Sequence, residues 1–402
     1  MIYLFIYIIN MTILITGGCG YIGTHLSKLM SDYDIIIYDN LKNGTTFMNS
    51  NKIYKGDIRD ESKLEFIFKK YNFDTVIHLA GLAHISESID DPKYYYDNNV
   101  IGSLILLNVC IKYNVKNFIF SSSCTVYGNN FINNKQVNED SFTNPINPYG
   151  NTKLIFENIL KDYSEKYKFN YGILRYFNAC GSDPELDIGE YHKEEKRIIP
   201  NLIKSCLDEN KKVNIYGNDF DTIDGFAVRD YTHVCDISSA HIKVLKYLNI
   251  FNKSITCNIG NGIGYSIKQL INIIEEISNK KIKYEIKDRK IGDAAYMVCS
   301  NEFVKKKINW KPKYDIYDII KTSYQWYKNK LPKLKEKLDL FSYFAINEDF
   351  NGDIYTGFIK NNKYHGKGIL YFSDGGIYDG NFEEGKFING YQVLDYNKKI
   401  KI

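Results

Sequence analysis

The sequence predicts a doubly wound α/β domain, in which helices cover both faces of a parallel β-sheet. A smaller second lobe and a short C-terminal segment of β-hairpins follow it. Three observations support this prediction. Short β-branched runs alternate with longer helical segments from Thr12 to about Tyr176, a glycine-rich turn follows the first run, and Tyr355-x-Gly357 recurs later in the chain as Tyr378-x-Gly380.

Five apolar runs are predicted as buried strands: TILIT (12–16), DIIIYD (34–39), TVIHLA (75–80), KNFIFSS (116–122) and YGILRYF (171–177). Nearly continuous apolar strands separated by helices are typical of a parallel sheet that is covered on both faces. Ligands of such sheets bind at the carboxyl ends of the strands. The residues that directly follow these runs are therefore the candidates for a functional site.

The chain divides by pattern into five segments. Residues 11–177 carry the α/β pattern, and residues 178–330 form a loop-rich lobe whose elements interleave with the first domain. A Lys-rich linker spans 331–351, and the repeats span 352–402. Residues 1–10 are an apolar N-terminal extension that is too short to cross a membrane and lacks a basic flank, which makes a signal anchor the less favoured alternative.

Composition excludes several classes of protein. The 402 residues are 44% hydrophobic with a net charge of +4, which fits a globular protein without a nucleic-acid-binding surface or a transmembrane segment. The eight cysteines occur singly and form no metal-binding pattern, so we expect no metal and a reducing, cytoplasmic location.

The turn after the first strand has the glycine spacing of a dinucleotide-binding site. Gly17, Gly20 and Gly23 lie between a strand and a helix, where glycine allows a tight turn and a close approach to a pyrophosphate. A plain tight turn is the alternative. Asp39 ends the second strand, where a carboxylate would accept ribose hydroxyls and repel a 2′-phosphate, so NAD is favoured over NADP. Asp57 could reach the adenine or could instead cap the following helix.

Tyr149 and Lys153 occupy positions i and i+4 at the start of a predicted helix, in the stretch NPYGNTK. A nearby ammonium stabilises a phenolate, and a serine hydroxyl from SSSCTVYG can orient the substrate oxygen. Such a set removes a proton from an alcohol while a nicotinamide cofactor takes the hydride. The tyrosine–lysine spacing also occurs by chance on exposed helices, but its position behind the glycine turn and Asp39 favours catalysis.

From Met11 to about Lys330 the chain resembles the extended short-chain dehydrogenase/reductases of the NAD-dependent epimerase/dehydratase family, and among them the UDP-glucose 4-epimerases. The matching stretches include TGGCGYIGTH, YDNLKNG, GDIRD, VIHLAGL, NPYGNTK, LRYFNACG and IGDAA. The resemblance implies a Rossmann domain and reversible C4 epimerisation of UDP-glucose and UDP-galactose. It also implies tightly bound NAD, a transient 4-keto sugar and a homodimer.

The resemblance also implies roles for individual residues. The catalytic residues are Ser123, Tyr149 and Lys153. The cofactor-binding residues are Gly17, Gly20, Tyr21, Ile22, Gly23, Asp39, Asn40, Asn43, Asp57, Ile58, Ala80, Gly81, Asn98, Tyr149, Lys153 and Phe177. The substrate-binding residues are Ser123, Asn178, Tyr216, Arg229, Lys290, Asp293 and Met297. Arg229 suits a diphosphate because a guanidinium binds two oxygens at once, although it could instead pair with Asp230 or Asp236.

Six residues at four sites distinguish this chain within the family. Cys124 and Thr125 stand where related dehydratases carry acidic residues, which favours epimerisation. Ala83 and His84 replace a usual basic residue near the cofactor, and Lys290 replaces an arginine that binds the diphosphate. Met297 stands where residue size controls access of N-acetyl sugars. Epimerisation of a UDP-N-acetylhexosamine, UDP-pentose or UDP-uronate therefore remains an alternative.

The C-terminal segment resembles the MORN repeat, because it contains two Tyr-x-Gly units and one HGKG. Two copies form a short array that we expect to pack on the main domain or to bind a protein or lipid partner. A non-catalytic NAD-binding scaffold that works through this segment is the alternative to an enzyme.

Overall fold

The computed structural model describes residues 11–44, 51–129, 135–192, 195–290, 292–333, 343–348, 353–360, 363–371, 377–395 and 398–401. The predicted N-terminal extension, residues 1–10, lies outside this set. Within the described part of the chain, every helix is too short or too polar to cross a membrane.

Seven parallel strands form the central sheet: β1 (Thr12–Thr16), β2 (Asp34–Asp39), β3 (Lys52–Lys55), β4 (Thr75–His78), β5 (Asn117–Ser123), β6 (Asn170–Tyr176) and β10 (Ile255–Ile259). Their spatial order is β10-β6-β5-β4-β1-β2-β3. The order reverses between β1 and β4, which is where a doubly wound sheet opens a crevice for a ligand. The predicted α/β fold class is confirmed, and β10 is the strand that the second lobe contributes.

Helices cover both faces of this sheet. They are α1 (Tyr21–Leu29), α2 (Glu61–Lys70), α3 (Ile85–Asp90), α4 (Pro92–Tyr96), α5 (Ser103–Lys112), α6 (Pro148–Tyr167), α8 (Val234–Phe251) and α10 (Glu302–Ile308). A π-helical turn, Asp97–Gly102, precedes α5, and a 3₁₀ turn, Cys124–Tyr127, follows β5. In β1, Ile13 and Ile15 pack with α1, α8 and α10, whereas Leu14 packs with α2, α5 and α6. Burial on both faces explains why the strands lack polar alternation.

The second lobe has its own core. Its strands are β7 (Asn178–Cys180), β8 (Val213–Tyr216), β9 (Val228–His233), β11 (Gly264–Ser266), β12 (Tyr284–Lys287) and β13 (Tyr296–Met297). Its helices are α7 (Ile198–Leu207), α9 (Ile267–Ser278) and α11 (Ile316–Gln325), which ends in the π-helical turn Trp326–Lys330. Strand β9 lies at the centre of a small sheet and pairs with β7, β11 and β13. Strand β8 pairs with β12.

The C-terminal strands form an antiparallel meander: β14 (Tyr343–Glu348), β15 (Ile354–Lys360), β16 (Lys363–Tyr371), β17 (Ile377–Glu383), β18 (Lys386–Asp395) and β19 (Lys398–Lys401). Strand β14 lies in the segment that the sequence predicts as a linker, and it pairs in parallel with β3 at the edge of the central sheet.

Glycines form a row across this meander, because Gly357 pairs with Gly368, Gly368 with Gly380 and Gly380 with Gly390. The phenol of Tyr355 covers part of the row, and a Cβ at Gly368 would lie 2.3 Å from the Tyr355 hydroxyl oxygen. The Tyr355 ring also stacks on Tyr364, with 3.9 Å between ring centroids. The recurring glycines therefore provide the space in which a buried aromatic side chain lies against the sheet.

Candidate functional site

The glycine turn brings β1, α1 and β4 into close contact. Gly17 has a φ of +71°, and a Cβ there would lie 2.5 Å from the backbone nitrogen of Ala80. A Cβ at Gly23 would lie 2.6 Å from the Cα of Gly18, so the helix packs directly on the turn. Gly20 precedes the first turn of α1, where backbone N–H groups have no partner within the helix. Together these features form a cradle for an anion.

Tyr21 and Ile22 lie in the first turn of α1. The Tyr21 hydroxyl is buried and donates a hydrogen bond to the Gly181 carbonyl at 2.5 Å. The guanidinium of Arg197 lies 5.0 Å from the centroid of the Tyr21 ring. Tyr21 therefore joins the two lobes through its side chain, and only its backbone N–H faces the anion cradle.

Asp39 lies at the carboxyl end of β2 beside the glycine turn. Its Oδ2 accepts the N–H of Cys19 at 3.0 Å, and its Oδ1 accepts the N–H of Leu41 at 2.8 Å. Burial raises the pKa of Asp39, and the two backbone hydrogen bonds oppose that shift. Each oxygen has further lone-pair capacity, so the carboxylate can accept a diol.

Asp57 follows β3 and is engaged by Arg59. The Arg59 Nε donates to Asp57 Oδ1 at 2.9 Å and its Nη2 donates to Asp57 Oδ2 at 2.8 Å, which lowers the pKa of Asp57. The alternative role of Asp57 as a helix cap is wrong, because Asp60 is the residue that caps α2 by accepting the N–H of Lys63. The chain holds two aspartates near one helix start, and sequence alone did not distinguish them.

The other predicted cofactor positions follow the ends of β2, β3 and β4. Asn40 and Asn43 are exposed, and Ile58 is buried. Ala80 and Gly81 follow β4, and Asn98 is buried in the π-helical turn.

Asn99, which the sequence analysis missed, holds the Gly81–Leu82 backbone in place. Its Oδ1 accepts the N–H of Leu82 at 2.9 Å, and its Nδ2 donates to the Leu82 carbonyl at 3.0 Å. The doubled asparagine in YYDNNV was the available signal.

Tyr149 lies in the first turn of α6, at the carboxyl end of β5. The helix begins there because Pro148 occupies its first position and the Asn147 Oδ1 accepts the N–H of Gly150 at 2.8 Å. Ser123 is the last residue of β5, and its Oγ accepts from the Thr125 Oγ1 at 3.0 Å. Burial raises the pKa of Tyr149 to about 12, and the hydrogen bond to Ser123 opposes that increase.

Lys153 lies one helical turn after Tyr149 and is also buried. Its Nζ donates to the Ser121 carbonyl at 2.8 Å and lies 5.8 Å from the centroid of the Tyr149 ring. A Cβ at Gly81 would lie 3.4 Å from this Nζ, so the ammonium faces the loop that follows β4. Burial lowers the pKa of Lys153 to about 8, and the carboxylate of Glu157 opposes the decrease.

Four of the predicted substrate residues lie in the second lobe and form two contacts, each between a cationic side chain and another side chain. The Arg229 Nη2 lies 3.8 Å from Asp293 Oδ1. The Lys290 Nζ lies 3.9 Å from the centroid of the Tyr216 ring. Gly292 lies between Lys290 and Asp293 in the sequence, and a Cβ there would lie 3.9 Å from the Asn147 Cβ at the start of α6. This loop therefore reaches the catalytic helix.

The alternative pairing of Arg229 with Asp230 or Asp236 is wrong. Asp230 accepts the backbone N–H groups of Asn261 at 2.7 Å and Gly262 at 2.8 Å. Asp236 accepts the N–H groups of Lys313 and Tyr314, each at 3.0 Å. Both carboxylates fix loop backbones, so the Arg229 guanidinium contacts only Asp293 among these three acids.

Met297 and Phe177 lie in one buried cluster with Cys124, which directly follows Ser123. Met297 pairs with Arg229 in the register of β13 and β9, and it is 8% exposed. Asn178 begins β7 directly after Phe177 and is partly exposed. The methionine side chain therefore links the serine end of the site to the arginine strand.

His84 does not supply a fixed positive charge at the cofactor side. Burial and the cations Arg197 and Lys196 lower its pKa. Its backbone N–H donates to the Tyr95 hydroxyl at 2.9 Å, and the same hydroxyl donates to the His84 carbonyl at 2.8 Å. These contacts fix the chain that leads into α3.

Comparisons with known proteins agree with this arrangement. The model of the NAD dependent epimerase/dehydratase family matches residues 13–260. A UDP-glucose 4-epimerase of Rhizobium meliloti is 37% identical over 324 residues, 80% of this chain and 98% of that protein.

Solved structures of the same kind are also similar. The UDP-glucose 4-epimerase of Bifidobacterium longum, solved in complex with NAD+ and UDP, aligns with a TM-score of 0.76 at 37% identity and covers 80% of this chain and 99% of its own. The UDP-Glc/GlcNAc 4-epimerase of Campylobacter jejuni aligns with a TM-score of 0.68 at 34% identity and covers 79% of this chain and 99% of its own. With its glycine turn, its acidic β2 end and its serine–tyrosine–lysine set, this chain belongs to the NAD-dependent epimerase/dehydratase family.

Proposed function

We propose that this protein catalyses the reversible C4 epimerisation of a UDP-hexose, the interconversion of UDP-glucose and UDP-galactose. The observation that carries this proposal is the meeting of Ser123, Tyr149 and Lys153 at the carboxyl end of β5. The relatives named UDP-glucose 4-epimerase align with this chain over almost their whole length, which supports the same class of reaction.

The cofactor of this reaction is NAD, and the residues present fit it. The turn leaves no room for a side chain at Gly17 or Gly23, and Gly20 lies at the N-terminus of α1, which can receive a pyrophosphate. Asp39 is placed to accept the adenosine ribose hydroxyls, and its charge disfavours a 2′-phosphate. Bound NAD supplies the acceptor that takes the hydride of the sugar C4 and returns it to the opposite face.

Tyr149 acts as the proton acceptor and donor for the sugar O4. Ser123 opposes the rise in the pKa of the Tyr149 hydroxyl, and it orients the same sugar oxygen. Because burial raises the pKa of Tyr149, ionisation requires positive charge in the closed site. Lys153 provides part of that charge, and its Nζ, held by the Ser121 carbonyl, also reaches the loop that carries Gly81.

The UDP part of the substrate binds along the second lobe. Arg229 can hold a diphosphate with two donors once a phosphate competes with Asp293 for its guanidinium. Lys290 adds a single positive charge beside Tyr216, whose ring can face the uracil base or the ribose. Asn178, the first residue of β7 and partly exposed, carries an amide that can hydrogen-bond to the sugar or its phosphate.

The sugar pocket accepts both hexoses and N-acetylhexosamines. Met297 is flexible and intermediate in size between a gate that excludes an N-acetyl group and one that admits it. The relative from Campylobacter jejuni, described as acting on both UDP-Glc and GlcNAc, is consistent with such tolerance within the family.

Three further proposals concern the cellular location, the oligomeric state and the C-terminal segment. All eight cysteines are free, which suits a reducing cytoplasm. A homodimer follows from the family resemblance. We assign a MORN-like binding role to the C-terminal meander, with a protein or a lipid surface as its partner.

The experiment is incubation of the purified protein with a panel of UDP-sugars without added NAD. We expect interconversion at C4 for UDP-galactose and for UDP-N-acetylgalactosamine. Turnover of the first sugar alone would remove the dual specificity. A protein that retains NAD but turns over none of the panel would instead be a scaffold that acts through its C-terminal segment.

A further inference from the structure

Three consecutive residues of β5 each contact a different functional group of α6. Ser123 opposes the rise in the pKa of Tyr149, and the Ser121 carbonyl accepts from the Lys153 Nζ at 2.8 Å. The Ser122 Oγ donates to Glu157 Oε1 at 2.5 Å. Because Glu157 lies one helical turn after Lys153, the spacing of four residues that joins Tyr149 to Lys153 continues to a third residue.

Glu157 is a fully buried carboxylate with a defined partner. The Arg175 Nε lies 3.0 Å from Glu157 Oε1, and the Arg175 Nη2 lies 2.7 Å from Oε2. The side chains of Arg175 and Glu157 are 4% and 0% exposed. A buried ion pair of this kind is at best a neutral contribution to stability compared with an apolar pair, so its presence suggests a role in specifying geometry.

Arg175 also hydrogen-bonds to the 3₁₀ turn that follows Ser123. The Arg175 Nη1 donates to the Tyr127 hydroxyl at 2.8 Å, and that hydroxyl donates to Asn258 Oδ1 at 2.8 Å. Tyr127 ends the 3₁₀ turn that begins directly after Ser123. Arg175 therefore ties together α6, β6, β10 and the segment after the catalytic serine.

We propose that the Glu157–Arg175 pair is the positioning element of the active site, which fixes β5 against α6 so that Ser123 and Ser121 meet Tyr149 and Lys153 in register. This inference rests on the proposed epimerase reaction. Neither residue of the pair is among the proposed substrate-binding or cofactor-binding residues, and both act through the serine strand.

The charges around Lys153 give this role a measurable consequence. Lys153 faces Tyr149 and Glu157 of its own helix and the neutral His78 of β4. Strand β6, which packs on the same helix, carries Arg175 and Tyr176. Glu157 is the group that supports the charged form of Lys153. Loss of the pair would therefore lower the pKa of Lys153 and, by loosening Ser123, raise the pKa of Tyr149.

The test uses two variants of the full-length holoenzyme. Ser122→Ala removes only the hydrogen bond between the strand and Glu157. The double variant Glu157→Gln with Arg175→Gln removes both charges without leaving one buried alone. Ser205→Ala is the matched control, because Ser205 is a buried serine of the second lobe whose Oγ donates to the Lys211 carbonyl at 2.7 Å.

For Ser122→Ala we expect kcat for UDP-galactose to fall roughly threefold to tenfold with an unchanged KM, as for the loss of one buried hydrogen bond. For the double variant we expect kcat to decrease roughly tenfold to a hundredfold. The acidic limb of its kcat–pH profile should move to higher pH and the basic limb to lower pH, so that the pH range of activity becomes narrower. Ser205→Ala should match the wild type in both measurements.

A folded double variant with the wild-type kcat and pH profile would overturn the proposal, as would an equal loss in Ser122→Ala and Ser205→Ala. If the double variant does not fold, Ser122→Ala decides alone. A wild-type protein without turnover would refute the epimerase reaction separately. In that case crystal structures of the wild type and Ser122→Ala decide the positioning role, because unchanged placement of Ser123 against Tyr149 would contradict it.

Discussion

The carboxylate of Asp39 lies against the glycine turn, with its Oδ2 accepting the backbone N–H of Cys19 at 3.0 Å. The residue that we propose selects the cofactor is thus held by the same loop that we propose binds the pyrophosphate. In this proposal the backbone of the turn fixes the carboxylate in the position where it would accept hydrogen bonds from the ribose hydroxyls.

Replacing Asp39 with Asn should weaken NAD binding by about tenfold and reduce the discrimination against NADP, because the repulsive charge is lost. The measurement is the amount of each dinucleotide retained by the purified protein and its dissociation constant. Asp34→Asn, at the exposed start of the same strand, is the control. Equal affinity for NAD in the two variants would contradict the assigned role.

Tyr149→Phe should lower kcat by about two to four orders of magnitude, since general acid–base catalysis contributes that much, while the protein still retains NAD. Tyr163→Phe, on the same helix but nearly three turns beyond Lys153, should leave kcat unchanged. An increase in KM without a decrease in kcat would show that Tyr149 binds the sugar without exchanging a proton.

If Met297 sets the size of the sugar pocket, as we propose, its substitution should change selectivity more than total activity. Met297→Tyr should lower kcat/KM for UDP-N-acetylgalactosamine by about tenfold or more relative to UDP-galactose, and Met297→Ala should change the ratio in the opposite direction. Exposed Tyr317, replaced by Ala, is the control. Identical ratios in both Met297 variants would place the gate elsewhere.

Buried histidines should make the protein sensitive to mild acid. Burial lowers the pKa to about 3 or about 4 for His25, His78, His233 and His241. The unfolded chain then binds more protons than the native state below a pH of about 6.5, so stability decreases as pH falls. Burial also raises the pKa of Asp230 and Asp236 to about 6, which acts in the opposite direction between about pH 6 and pH 4.

The histidines outnumber these carboxylates by two, so the free energy of unfolding should decrease by about 3 kcal/mol per pH unit between about pH 6 and pH 5. Urea unfolding at the two pH values measures this slope. His78→Asn should make the slope shallower by about 1.4 kcal/mol per pH unit. A flat dependence in the wild type would mean that other groups compensate.

The glycine row of the meander should tolerate no side chain. Gly368→Val would place carbon atoms against the Tyr355 phenol and separate β15 from β16, so limited proteolysis should cleave the C-terminal segment several-fold faster. Among the described strands of this segment, β14 is the one that pairs with the central sheet, so turnover of UDP-galactose should stay at the wild-type value. Lys367→Ala, at the exposed position next to Gly368 in β16, is the control.

Sequence predicted the fold class well because burial on both faces leaves the same mark on each strand, as in TILIT and DIIIYD. It also located Tyr149 and Lys153, whose spacing is local. Contacts between distant segments left no such mark. Arg175 pairs with Glu157 across two elements, and Arg229 meets Asp293 where the sequence offered the nearer Asp230. The cap of α2 shows the limit of local rules, since Asp57 and Asp60 both fit them.

Because the chain returns to the central sheet at β10, only some break points would leave fragments that can fold. A fragment that ends at residue 177 would lack β10 and α8, whose Ile237 and Val244 share a core with Leu26 of α1. Such a fragment would expose an unpaired strand edge and an uncovered helix, and we expect it to aggregate. Split reporters and fragment complementation in this protein should therefore use a break after Lys333, where both lobes are already complete.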